Sequence, residues 1–250
     1  MLIERFTIGI GLLCVILALI SGCRSGSNAP VSSIGEQNRS SSGYHVVSKG
    51  ETLYSISFVY GIDYREIAAA NKIQFPYTIF VNQRLRIEDV RPPTSTKVVV
   101  KQPSKKAPAS GATEQGNRNQ RSNVEWQWPL RGEVISQFSL SGEVNKGIDI
   151  RGKLGGSVNS AADGVVVYAG GGLRGYGKLV IVKHNDHFLS AYGNNREILV
   201  KEGDQVKSGQ AVAEVGSSGK NVEMLHFQIR RDGKPEDPLI YLPKEPFVTL

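Results

Sequence analysis

The chain has 250 residues, with 30 Lys and Arg against 23 Asp and Glu, for a net charge of +7. That length accommodates one or two small domains, and two cysteines exclude a disulfide framework. The basic balance suits an anionic partner, whether nucleic acid, a membrane surface or an acidic polymer, and the sign alone does not choose among them.

Arg5 precedes an apolar run from Phe6 to Ile20. At about 15 residues the run is short of the roughly 20 that span a bilayer, and it fits the apolar core of a signal peptide. It ends in Leu19-Ile20-Ser21-Gly22-Cys23. This resembles the bacterial lipobox, which implies that residues 1–22 are removed and that Cys23 is lipidated. Cys14 lies inside the removed segment, so the mature chain has no cysteine pair. Acyl chains anchor at about 0.8 kcal/mol per buried CH₂. Arg24, where enteric lipoproteins kept in the inner membrane carry Asp, implies an outer-membrane lipoprotein facing the periplasm. Residues 23–43 are rich in Ser, Gly and Asn and read as a disordered tether.

Residues 44–88 read as strand, helix, helix, strand. Tyr44–Val47 is a short strand. Ser48–Tyr60 is a helix with Leu53, Ile56 and Tyr60 on one stripe, stopped by Gly61. Asp63 caps a second helix that ends near Asn71. A turn at Pro76 leads to Ile79–Val81 and Leu85–Ile87 as the closing strand. Val47 through Ile56, then Asn71, then Val81-Asn82-Gln83-Arg84-Leu85 resemble a LysM domain, a βααβ unit that binds N-acetylglucosamine-containing glycans. The resemblance implies a glycan groove with Gly50, Thr52 and Leu53 on one side and Ile73, Gln74 and Phe75 on the other. For Leu53 and Ile73 the alternative is membership of the core of a very small domain.

Residues 89–123 carry Pro92, Pro93, Pro103 and Pro108, with seven basic and two acidic side chains. They read as a disordered linker. Nucleic-acid binding would need stacking aromatics among these charges, and the linker has none. Weak attraction to the anionic wall or to lipid head groups fits better, with simple solubility as the alternative.

Residues 124–250 alternate short apolar strands with Gly turns. Strands are expected at Val134–Phe138, Gly147–Ile150, Gly164–Ala169, Lys178–Lys183, Phe188–Tyr192, Glu197–Val200 and Ala211–Val215. No long amphipathic helix is present. A mainly antiparallel β-sandwich with Gly-rich loops follows. In the last strand Leu225, Phe227 and Ile229 face one way, and Met224, His226 and Gln228 the other. Trp126 and Trp128 are expected to pack, and His184 and His187 to be turn residues.

Asn145-Lys146-Gly147-Ile148-Asp149 and Met224-Leu225-His226-Phe227 resemble the two halves of the metal site of the lysostaphin-like (LytM) zinc endopeptidases. That family writes them as His-x-x-x-Asp and His-x-His. Asn145 stands at the first ligand and Met224 at a catalytic His. Tyr192-Gly193-Asn194 matches the Tyr-x-His piece, with Asn194 in place of the other catalytic His. Asp149 and His226 remain. A catalytic zinc needs three protein ligands and an open position for water, and without it no water is activated near neutral pH. No metal, no cofactor and no catalysis are therefore expected. The expectation is an inert groove lined by Asn145, Asp149, Asn194, Met224 and His226.

The full order of lipobox, tether, LysM domain, basic linker and degenerate LytM domain resembles the NlpD/LppB lipoproteins, as do Gly172–Gly177 and Leu225–Arg230. Those proteins activate periplasmic zinc-dependent N-acetylmuramoyl-L-alanine amidases that split septal peptidoglycan. The resemblance implies a chain that binds peptidoglycan, docks such an amidase on its groove and favours the amidase's open state. NlpD-like chains commonly keep the His that is Asn194 here. The alternatives from other classes are a structural tether between outer membrane and wall, and an active zinc endopeptidase. The fold class expected is thus a small α+β LysM module and a mainly-β domain of the lysostaphin-like peptidase fold, joined by a disordered linker.

Overall fold

The computed structural model of the chain describes residues 43–88, 124–219 and 221–244. The expected signal peptide, Cys23, the tether up to residue 42 and the 89–123 linker lie outside the described residues.

The first module consists of β1 (Tyr44–Val46), α1 (Leu53–Tyr60), α2 (Tyr64–Ala70) and β2 (Arg84–Arg86). The order is the βααβ expected, with two boundary corrections. α1 begins at Leu53 rather than Ser48, because Thr52 caps it. The Thr52 hydroxyl accepts from Ser55 N, and the Ser55 hydroxyl accepts from Thr52 N. Two otherwise orphaned N–H groups are satisfied reciprocally. Upstream, the Glu51 carboxylate takes Ser48 N at 2.7 Å and the His45 ring at 2.8 Å, which holds this loop outside the helix. The second correction is Ile79–Val81, which is not a strand. It runs into a turn with Asn82 at φ 68, closed by Phe80 N donating to the Gln83 side chain. Gly61 and Asp63 do what their positions predict. Gly61 ends α1 in the left-handed region (φ 66), and Asp63 caps α2. Val47, Leu53, Ile56, Tyr64, Ile67 and Leu85 form this module's own core.

The second module contains β3 (Val134–Ser136), β4 (Ile148–Arg151), β5 (Ser157–Asn159), β6 (Gly164–Gly170), β7 (Lys178–Lys183), β8 (Phe188–Ile198), β9 (Gln205–Val206), β10 (Ala211–Ser217), β11 (Glu223–Arg231) and β12 (Lys234–Glu236). They make one antiparallel network in the order β3-β4-β11-β10-β8-β7-β6-β9, with β12 on β11 and β5 on β10. The layers of the expected sandwich are parts of this single network. β8 is the reason. It continues through Gly193 and Asn194, where a break was expected, and pairs with β7, β11 and β10.

Alternation along the strands gives the sheet two apolar faces. Leu225, Phe227 and Ile229 join Ile148, Val180, Val182 and Tyr192 in the main core. Trp126 is buried there, and the Trp128 indole N–H donates to Pro243 O at 2.9 Å. Leu179, Ile181, Leu189 and Ala191 point the other way, with Tyr168 and Leu173. What covers that second face is α1 of the first module, through Phe58 with Tyr54 and Val59. Phe58 is 1% exposed. Its burial contributes roughly 2 kcal/mol, and it falls between modules rather than inside one.

His184 is more than a turn residue. Its Nδ1–H donates to Asp163 O at 2.7 Å, leaving Nε2 to accept from the Ser190 hydroxyl at 2.7 Å. Ser190 in turn meets the Tyr192 hydroxyl at 2.8 Å, and the Trp126 ring lies edge-on. Burial pushes the imidazole down to about 4. Between that value and the unfolded pKa, about 6.5, the unfolded chain binds a proton that the fold excludes. Stability is therefore full above that window and falls as pH drops through it. Denaturant melts should show the native chain losing up to about 3 kcal/mol from this group over the window. His184→Gln should flatten that part of the pH profile.

Candidate functional site

β4 and β11 lie side by side with Asp149 opposite His226, and β8 brings Gly193 opposite His226 from the other edge. The approach depends on Gly147, because a Cβ there would sit 2.1 Å from Phe227 O. Asp149 Oδ1 is 2.7 Å from His226 Nδ1, and both side chains are largely buried. The sequence-predicted pair is thus in direct contact.

Asn145 reaches the same place from the loop before β4, where a bridge to Ser139 fixes its backbone. Its Oδ1 accepts from Gly147 N at 3.1 Å. That sets the amide so that Nδ2 donates to Ser136 Oγ at 2.9 Å and faces Asp149 Oδ2 at 3.4 Å. Met224 is buried two residues before His226 on the same strand. Asn194 follows Gly193 at φ 60, and its N–H donates to Tyr176 O at 2.7 Å. Asn tolerates that left-handed backbone better than most residues. The structure therefore joins Asn145, Asp149 and His226 by hydrogen bonds and sets Met224 and Asn194 on the strands around them.

Four residues of this constellation escaped the sequence reading of the groove: Ser136, Tyr176, Gln228 and Arg230. Gln228 Nε2 donates to His226 Nε2 at 2.7 Å and lies 3.4 Å from the Tyr176 hydroxyl. Arg230 holds Gln228 Oε1 with Nε at 3.1 Å and Nη2 at 3.0 Å. Its Nη1 donates to Phe58 O at 2.8 Å, and its guanidinium stacks 3.8 Å from the Phe58 ring centroid. Burial lowers the Arg230 pKa from its ordinary value, and the Tyr176 phenol beside it opposes that shift. A period of two along β11 signals this ladder, because it places His226, Gln228 and Arg230 on one face.

The donor set does not fit a catalytic zinc. Two ligand atoms on a tetrahedral zinc sit about 3.3 Å apart when each bond is about 2.0–2.1 Å. Asp149 and His226 are closer than that and bonded to each other. The other His226 nitrogen is engaged by Gln228, and Asn145 presents N–H groups rather than a lone pair. What this arrangement can do is hold a fixed, partly buried surface of donors and acceptors.

The predicted glycan residues divide. Gly50 is exposed at φ 82 with open space beside it, and Gln74 and Phe75 are exposed. Ile73 is half-buried against the module's core, and Leu53 lies within it. The Thr52 hydroxyl, besides capping α1, donates to Val167 O of β6 at 3.1 Å.

The LysM domain family matches residues 45–88, and peptidase family M23 matches residues 143–238. A "Lipoprotein NlpD/LppB homolog" of Pseudomonas aeruginosa is 44% identical over 81% of this chain and 78% of its own length. The "Outer membrane antigenic lipoprotein B" of Haemophilus influenzae is 39% identical over 79% of this chain, which spans 63% of that relative. The "Murein hydrolase activator NlpD" of Escherichia coli is 35% identical over 80% of this chain and 68% of its own length. With both domains matched in that order, the chain belongs to the NlpD/LppB family of lipoproteins and murein hydrolase activators, built from a LysM domain and a peptidase family M23 domain.

Proposed function

We propose that this chain is a non-catalytic activator. It is anchored in the outer membrane through Cys23, faces the periplasm, binds peptidoglycan glycan strands through its LysM domain, and switches on a periplasmic zinc-dependent N-acetylmuramoyl-L-alanine amidase that splits septal wall. The observation that carries the reading is the hydrogen bond between Asp149 and His226. The pair that would serve a metal is closed on itself, and Gln228 and Asn145 occupy the remaining polar capacity around it. A site closed in this way activates no water, yet it presents a rigid polar surface that a partner protein can read. The relative named a murein hydrolase activator supports that partner class.

The test mixes the chain with a periplasmic amidase and follows dye release from labelled peptidoglycan. The chain should stimulate release above the amidase alone. His226→Ala should lower stimulation about tenfold, the loss expected for a partner-binding anchor worth roughly 1.4 kcal/mol. Sedimentation with peptidoglycan should be unchanged in that variant. Equal release with and without the chain would refute activation. Release of peptides by the chain in the absence of amidase would refute the non-catalytic reading.

A further inference from the structure

α1 serves two cores. Leu53 and Ile56 face the LysM module's own interior, whereas Phe58 lies in the cluster of Tyr168, Leu179, Ile181 and Leu189 on the M23 sheet. That sheet face is the one that carries His226, Gln228 and Arg230 along β11. The Phe58 ring is 5.3 Å from Tyr176, and Tyr176 is 5.9 Å from the His226 ring. Polar contacts follow the same route, from Phe58 O through Arg230 and Gln228 to His226 and Asp149. The LysM module therefore sits on the face that adjoins the closed pair and is wired to it.

The seam also touches the expected sugar groove. Thr52 is on one rim of that groove, and its hydroxyl is committed to Val167 O across the seam. Gln74 and Phe75 on the other rim are exposed, Phe75 at 84%. A sugar strand can meet the open rim and Gly50 first, but it reaches the Thr52 hydroxyl only by displacing Val167 O.

We propose that the LysM module is a removable cover on the M23 sheet, and that a β-linked N-acetylated amino-sugar strand lifts it by competing for the rim that carries Thr52. The inference rests on the glycan-binding reading of the LysM domain. Glycan binding and sheet covering are then mutually exclusive, so the face beside Asp149 and His226 opens only where the wall is engaged. Tyr54 and Val59 of α1 add to the apolar contact, and Gly233 lies close against the Ile62 backbone. Arg65 pairs with Asp232 at 2.7 Å near the surface, and Lys183 Nζ lies 5.8 Å from the Tyr64 ring.

The experiment uses the full chain with Cys14 and Cys23 replaced by serine, and the N-acetylglucosamine tetramer as probe. Arg65→Cys together with Asp232→Cys allows a short bis-maleimide to bridge the modules in the closed state. Phe58→Ala removes the anchor without touching the LysM core, and thermal melting checks that both modules stay folded. The bridging yield should fall in Phe58→Ala and fall again on adding tetramer. Because apparent affinity scales with the open fraction, the bridged chain should bind tetramer about tenfold more weakly than the unbridged chain, and Phe58→Ala about tenfold more tightly. Equal tetramer affinity in bridged, unbridged and Phe58→Ala chains would overturn the cover while leaving glycan binding intact. A folded Phe58→Ala chain that bridges poorly and binds no tetramer would overturn the glycan reading, and the inference with it.

Discussion

Replacing Gly147 with alanine should lower the stability of the M23 module by more than about 3 kcal/mol, as overpacking against immovable backbone does. The new Cβ would meet Phe227 O at 2.1 Å and Gln228 Cγ at 2.7 Å. The first of these is main chain of β11, the strand that β4 pairs with. Nothing flexible can yield, so the two strands must part. Their separation breaks the register that sets Asp149 against His226. Gly219→Ala is the matched control, since no atom lies within 4 Å of its Cβ position. It should change stability by no more than about 0.5 kcal/mol. Urea unfolding of the two variants distinguishes a packing requirement at position 147 from a general cost of losing glycine. Equal midpoints would show that β4 and β11 can separate at little cost.

Asn145→His should retain zinc, and the native chain should not. Asn145 Nδ2 is 3.4 Å from Asp149 Oδ2, close to the separation of two ligand atoms on one tetrahedral zinc, about 3.3 Å. An imidazole at 145 would be the third ligand beside Asp149 and His226, and a metal would then replace the hydrogen bond between those two. Metal analysis after dialysis should find about one zinc per chain in the variant, the stoichiometry of a single three-ligand site. Met224 and Asn194 stay as they are, so the variant should release no peptides from peptidoglycan. Zinc retained equally by the native chain would show that the Asp149–His226 bond opens readily for a metal.

Much of this was legible from local pattern. The alternation of β11 placed Leu225, Phe227 and Ile229 in the core, and Gly61 and Asp63 marked the joint between α1 and α2. The membership of Asn145, Asp149 and His226 in one site came from resemblance, because no local period brings a loop residue and two strands together. Gln228 and Arg230 were within reach of the same alternation. A polar residue on the non-core face reads as solvent-facing, and here that face is itself covered. The expected strand ends at Tyr192, whereas β8 runs on to Ile198. Pairing on both sides and a left-handed Asn194 carry the strand through instead. The docking of α1 on the sheet was written in the helix. Phe58 lies off the Leu53–Ile56–Tyr60 stripe, and a helix apolar on two faces is buried on both.

Arg230 sets the character of the seam between the modules. A guanidinium that is 2% exposed has given up its hydration, and its bonds to Gln228, Phe58 O and Gly233 O recover that loss only in part. Burial of Phe58 pulls the modules together, while the desolvated charge stacked on the same ring pulls toward water. The two opposing contributions sit at one point of contact. Opening the seam would rehydrate that cation, but it would also uncover Phe58 together with Leu179, Ile181 and Leu189 of the sheet.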